Sequence, residues 1–130
     1  MKLLFIVNPI SGDVDKKPFL EEAKELCSFY GINFTVFKTT GEKDAMKLNK
    51  ILDDYTPDRV VSVGGDGTTL FTAISLLNKN IPMGIIPLGS ANGMATELYV
   101  NPEPIQALKR YLALSYDSWI RPLKGERGIL

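Results

Sequence analysis

Residues 60–69 read Val60-Val61-Ser62-Val63-Gly64-Gly65-Asp66-Gly67-Thr68-Thr69, an apolar run that ends in three glycines set around one aspartate. The β-branched valines suit a short strand covered on both faces. Gly64 and Gly65 stop it. Beyond Thr68 and Thr69, the spacing of Leu70, Phe71, Ile74 and Leu77 predicts a helix with these four on its buried stripe. The stretch therefore reads strand, tight glycine turn, helix. Glycines there allow positive φ and close approach of a ligand to the backbone. Unpaired N–H groups at a helix start, with a macrodipole worth roughly half a positive charge, favour an anion, most often phosphate. Asp66 would repel a phosphate unless a cation or a ligand hydroxyl lay between them, so it points to Mg²⁺, bound directly or through water. The competing reading is a plain βα turn with an acidic helix start. Five special residues in succession, Gly64 to Thr68, favour the ligand.

Towards the N-terminus, Lys2 to Val7 is a second continuous apolar run and predicts the first strand. Asn8-Pro9-Ile10-Ser11-Gly12 breaks it at the carboxyl end, the ligand side of open α/β sheets. Asn8 and Ser11 could hydrogen-bond a nucleotide there, with Gly12 allowing close approach, or the segment could be an ordinary connection. Pro18 suits a first helical turn, followed by Leu20, Ala23, Leu26, Cys27 and Tyr30 at helical spacing and Gly31 as C-terminal cap. Ile32, Phe34 and Val36 alternate with polar residues as in a strand with one wetter face. Thr39 or Thr40 is expected to cap a helix carrying Ala45, Leu48, Ile51, Leu52 and Tyr55, and Thr39 could also reach a phosphate or ribose.

Towards the C-terminus, Met83 to Ile86 is a short strand ending in a second small-residue loop, Pro87-Leu88-Gly89-Ser90-Ala91-Asn92-Gly93. A short helix over Met94 to Leu98 follows. Asn101-Pro102 is expected to cap another, with Ile105, Ala107, Leu108, Tyr111 and Leu112 on its inner face. The alternation of strands and helices predicts an α/β, Rossmann-like three-layer fold, a parallel sheet with helices on both faces. From Tyr116 onward the pattern decays into an irregular tail, with Lys124 to Gly128 expected to be mobile.

At 130 residues the chain suits one domain. Fifteen basic and fifteen acidic residues cancel, which argues against nucleic acid as a partner and leaves at most peripheral membrane contact. With one cysteine, Cys27, there is no internal disulfide or cysteine metal cluster. With no histidine, imidazole bases and Ser-His-Asp chemistry are excluded. The apolar run at Leu3 to Val7 is too short for a signal peptide or membrane span, so a cytoplasmic protein is expected.

Asn8-Pro9-Ile10-Ser11-Gly12, Gly64-Gly65-Asp66-Gly67-Thr68 and Pro87-Leu88-Gly89-Ser90-Ala91-Asn92, in this order and at these separations, resemble the catalytic domain of the diacylglycerol kinase family, over roughly residues 1–115. The family includes sphingosine kinases and bacterial lipid kinases. The resemblance implies a nucleotide-binding domain with an ATP–Mg²⁺ cleft lined by Asn8, Pro9, Ser11, Gly12, Thr39, Gly64, Gly65, Asp66, Gly67, Thr68, Gly89, Ser90 and Asn92. Asp66 would be the catalytic and metal-binding residue, and the acceptor a lipid alcohol. Three departures stand out. Leu70-Phe71 replaces a frequent Asn-Glu, Gly93 follows Asn92 where an aspartate is usual, and family members are about twice as long, carrying a β-rich domain that supplies the acceptor surface and the base. The chain alone is therefore expected to transfer phosphate poorly. NAD kinases share the Gly-Gly-Asp-Gly-Thr loop and give a second reading. A nucleotide-binding or homo-oligomerising module without catalysis is a third.

Overall fold

The computed structural model describes residues 1–9, 14–114 and 118–122. The elements run β1 (Lys2–Val7), α1 (Lys17–Phe29), β2 (Asn33–Lys38), α2 (Asp44–Tyr55), β3 (Arg59–Gly64), α3 (Asp66–Ser75), β4 (Met83–Pro87), α4 (Gly93–Glu97) and α5 (Pro104–Ala113). The four strands form one parallel sheet in the order β2-β1-β3-β4, with Val7 level with both Lys38 and Val63, and Gly64 level with Pro87. The order reverses between β1 and β3, and such a switch point opens a crevice at the carboxyl ends of the strands.

Strand alternation divides the core into two layers. Leu3, Phe5 and Val7 of β1, with Val61, Val63 and Ile86, pack against α1 and α5. Leu4 and Ile6, with Val60, Met83 and Ile85, face Leu48 and Leu52 of α2 and Ala73 of α3. β1 is fully buried after Lys2, as its unbroken apolar run requires. No helix of the described residues is long and apolar enough to cross a membrane.

The structure corrects several expectations. On α3 the buried face is Thr68, Thr69, Thr72 and Ala73, while Leu70 and Ile74 are 40% and 53% exposed. Small side chains let this helix lie close to β3. Their hydroxyls cost little because they turn inward, Thr72 Oγ1 donating to Thr68 O at 2.8 Å and Thr69 Oγ1 to Gly65 O at 3.1 Å. Neither Thr39 nor Thr40 caps α2. Instead Asp44 reaches back from the first turn, its carboxylate accepting from the Thr40 and Gly41 amides, each at 2.9 Å. Glu103, not Asn101, caps α5 by accepting from Ile105 and Gln106. Tyr30 and Ala45 lie outside the buried stripes of their helices.

Part of the region expected to be an irregular tail is joined to the fold. Met83 and Ile120 exchange two backbone hydrogen bonds at 2.7 and 3.0 Å, an antiparallel bridge on the outer edge of β4. Trp119 is 4% exposed, donates Nε1–H to Tyr111 O at 3.0 Å and lies under the Arg59 guanidinium, 4.8 Å from its ring centre. Lys124 to Gly128 lie outside the described residues.

Candidate functional site

Three strand ends meet at the switch point. Asn8 follows β1, Gly65 to Thr68 follow β3 and open α3, and Gly89 to Ala91 follow β4. Together they line an open cleft of about 180 Å³. A second cavity of about 160 Å³ lies elsewhere, between Leu98–Asn101, α5 and Ile120 at the β4 edge.

The glycines bring the loops together more than they confer left-handed backbone. Gly65 has φ −98°, so positive φ is not what it contributes. A Cβ at Gly65 would stand 2.7 Å from Ala91 O, and one at Gly89 would stand 2.5 Å from Gly65 N. A Cβ at Gly64 would meet Thr68 Oγ1 at 2.6 Å. Two loop backbones therefore touch where side chains would separate them. Gly67 differs, since a Cβ there would meet nothing within 4 Å; its bareness leaves room on the cleft side.

Asp66 ties the two loops by hydrogen bonds. Its amide donates to Ala91 O at 2.9 Å, and its carboxylate accepts from Gly93 N at 3.0 Å and Met94 N at 2.9 Å, at the start of α4. One carboxylate thus satisfies two helix-start donors that α4 has no side-chain cap to meet. At the start of α3 the situation is reversed. Gly65 offers no side-chain cap, and the Gly67 and Thr68 amides have no acceptor among the described residues. Two aligned N–H donors and the positive end of a ten-residue helix therefore open on the cleft, an arrangement suited to an anion.

Of the other sequence candidates, Ser90 is an exposed residue of the cleft lining. Asn92 is turned inward, accepting from Gly89 N at 3.2 Å and donating to Gly89 O at 3.0 Å, so its amide holds the loop's shape. Thr39 lies at the end of β2, its amide donating to Val7 O at 2.9 Å, and does not line the cleft. Pro9 lines a different cavity. Ser11 and Gly12 lie outside the described residues. Ala91 is a cleft residue that sequence reasoning does not single out, because its contribution is a carbonyl and a small side chain carries no signal for that.

As for metal, the described residues contain no group of three or more acidic, cysteine or histidine side chains placed to hold an ion. Asp66 is the lone carboxylate on the described lining. Such a donor set does not make a resident cage, but it fits Mg²⁺, which is commonly held by one or two carboxylates with waters and substrate phosphates.

The geometry defines a doubly wound α/β domain with its crevice at the switch point and a helix start turned into it. The chain belongs to the diacylglycerol kinase catalytic domain family, whose model matches residues 2–117. It is 32% identical to sphingosine kinase 1 of Arabidopsis thaliana over 105 residues, covering 75% of this chain and 22% of that protein. It is 38% identical to NAD kinase of Treponema denticola over 89 residues, 68% of this chain and 29% of that one. A diacylglycerol kinase structure from Bacillus anthracis superposes with a TM-score of 0.70 at 27% identity, over 86% of this chain and 39% of the other. The chain thus spans well under half the length of each of these relatives.

Proposed function

We propose that this chain is the phosphate-donor half of a lipid kinase, holding the triphosphate of ATP while its γ-phosphoryl passes to a lipid hydroxyl of the diacylglycerol or sphingoid class. The observation that carries this reading is the pair of Gly67 and Thr68 amides, which have no acceptor among the described residues and open on a cleft walled by three strand-end loops. These amides donate to the phosphate oxygens, and bare Gly67 lets them approach. Asn8 and Ser90 add polar contacts along the walls. Asp66 keeps the two loops in register and, with lone pairs left on both oxygens, holds Mg²⁺ directly or through water. Mg²⁺, when bound with the nucleotide, neutralises charge on the transferred phosphoryl. Residues 1–115 form the nucleotide-binding unit in this reading.

No second carboxylate lines the described cleft, so the base that deprotonates the lipid hydroxyl is supplied by a body equivalent to the remaining length of the relatives. The test is γ-phosphoryl transfer from ATP by the chain alone and by the chain fused to the C-terminal remainder of the Bacillus anthracis kinase, with sphingosine, diacylglycerol and NAD as acceptors. Lipid phosphorylation by the fusion, much above that of the chain alone, is expected. The likeness to NAD kinase supports a second reading, which transfer to NAD and to neither lipid would establish in place of the first. Inactivity of a folded fusion that binds no ATP would leave only a non-catalytic module.

A further inference from the structure

Asn92–Gly93 is the single Asn-Gly step in the chain. Glycine has no side chain to shield its own nitrogen, so an asparagine before it is the one most open to attack on its side-chain carbonyl carbon. In that reaction a bond forms between Gly93 N and Asn92 Cγ, the Cγ–Nδ2 bond breaks, and ammonia leaves with the Gly93 proton, closing a succinimide. Water then opens the ring. Cleavage at Cγ leaves aspartate, and cleavage at the backbone carbonyl leaves isoaspartate, whose main chain is one methylene longer. Each conversion consumes one water and releases one ammonia, and it needs no catalyst.

Burial does not protect this step, because Asn92 is half-buried and Gly93 is exposed. Hydrogen bonds hold the two reacting groups apart instead. The Asn92 amide is turned back to Gly89, donating to its carbonyl oxygen at 3.0 Å and accepting from its N–H at 3.2 Å. The attacking nitrogen is engaged elsewhere, Gly93 N–H donating to Asp66 Oδ2 at 3.0 Å. Between them, the Asn92 carbonyl accepts from Thr96 N at 3.0 Å, which fixes the peptide that joins the two residues. The closed loops therefore deny the reaction its geometry, and that closure runs through a carboxylate on the facing loop.

We propose that Asn92–Gly93 is a latent site of spontaneous deamidation, held shut by Asp66 and Gly89 and released when α4 parts from the β3 loop. The inference rests on these bonds and not on what the cleft binds. Neither product restores the loop. An aspartate at position 92 has no N–H for Gly89 O and sets a carboxylate against that carbonyl. Isoaspartate lengthens the chain and moves the Gly93 and Met94 amides relative to Asp66. Gly89, whose backbone abuts Gly65, loses the side chain that shapes its turn. Conversion is therefore one-way and loosens the contact between two walls of the cleft.

The test incubates the full chain in mildly alkaline buffer and follows the peptide containing residue 92 by mass, which separates amide from acid, with ammonia release as a second readout. Hydrogen bonds to a charged acceptor are strong enough that the folded parent is expected to convert roughly tenfold or more slowly than the urea-unfolded chain. Asp66→Ala, shown to be folded by its amide spectrum, is expected to convert several-fold faster than the folded parent. Where that variant does not fold, the parent is followed in urea below its unfolding transition, where conversion is expected to rise in step with hydrogen exchange at Gly93 N. Unfolded Gly93→Ala is expected to convert much more slowly than the unfolded parent, which places the chemistry at this step. A folded parent that converts as fast as the unfolded chain, an unfolded chain that does not convert, or a folded Asp66→Ala no faster than the parent overturns the proposal.

Discussion

Gly65 and Gly89 stand backbone against backbone at the ends of β3 and β4, so close that a Cβ on Gly89 would lie 2.5 Å from Gly65 N. Neither neighbour is a flexible side-chain tip that could swing away. Gly89→Ala is therefore expected to destabilise the chain by about 1–3 kcal/mol, as overpacking does. Gly67→Ala, with open space around the new methyl, is expected to raise stability by up to about 1 kcal/mol, the helix preference of alanine over glycine. Urea midpoints of the two variants check the contrast, and equal effects would mean the loops are not in contact.

The inward face of α3 is its small, hydroxylated one. Leu70→Asn and Ile74→Gln are expected to change stability by less than about 0.5 kcal/mol, as exposed substitutions usually do. Ala73→Leu, at a fully buried position, is expected to cost about 1–3 kcal/mol. Chemical denaturation of the three variants would reveal a reversed helix as a reversed order of effects.

Trp119 joins residues beyond α5 to the core. Trp119→Ala is expected to cost about 3–5 kcal/mol, the usual range for a buried large aromatic. Trp119→Phe removes the hydrogen bond to Tyr111 O and is expected to cost about 1 kcal/mol from that bond. Because this is the single tryptophan, its emission should be blue-shifted in the native state and move red at the global unfolding transition. Red-shifted native emission would place it outside the core.

Asp44 gives the fold an acid-sensitive joint. Hydrogen bonds from Thr40 above all, then Gly41, with attraction from Lys47, hold its carboxyl below the ordinary 3.8. A carboxyl depressed on folding stabilises fully above its unfolded pKa, and that contribution is lost as pH falls through the folded value. Asp44→Asn is therefore expected to be less stable than the parent near neutrality, with the gap constant down to about pH 5 and closing below 3.8. Urea midpoints of both proteins against pH check this, and a gap that widens in acid would contradict it.

The alternation of strands and helices in a parallel sheet was largely legible because its signals are local. Residues 3–7 are an unbroken apolar run, residues 60–63 are apolar but for Ser62, and glycine or proline stands at or shortly beyond each strand end. What escaped depended on distant partners. Hydropathy favoured Leu70 and Ile74 as the inner face of α3, but Thr72 hides its hydroxyl on Thr68 O, and no residue count shows that. Asp66 reads from sequence as a ligand group, while its bonds to Gly93 and Met94 arise only when two loops meet. Asn92 carried the family pattern, yet its amide is spent on Gly89. Trp119 belongs to no periodic run, and its place is set by Arg59 and Tyr111 from elsewhere in the chain.

The central claim is that the Gly67 and Thr68 amides hold the nucleotide's phosphates. Titrating the isotope-labelled chain with Mg²⁺–ATP and following those two N–H resonances tests it most directly. Both are expected to move downfield and saturate together, among the largest shifts in the chain, as they gain an oxygen acceptor. Saturable binding that leaves both resonances unmoved, or no binding at millimolar nucleotide, would contradict it.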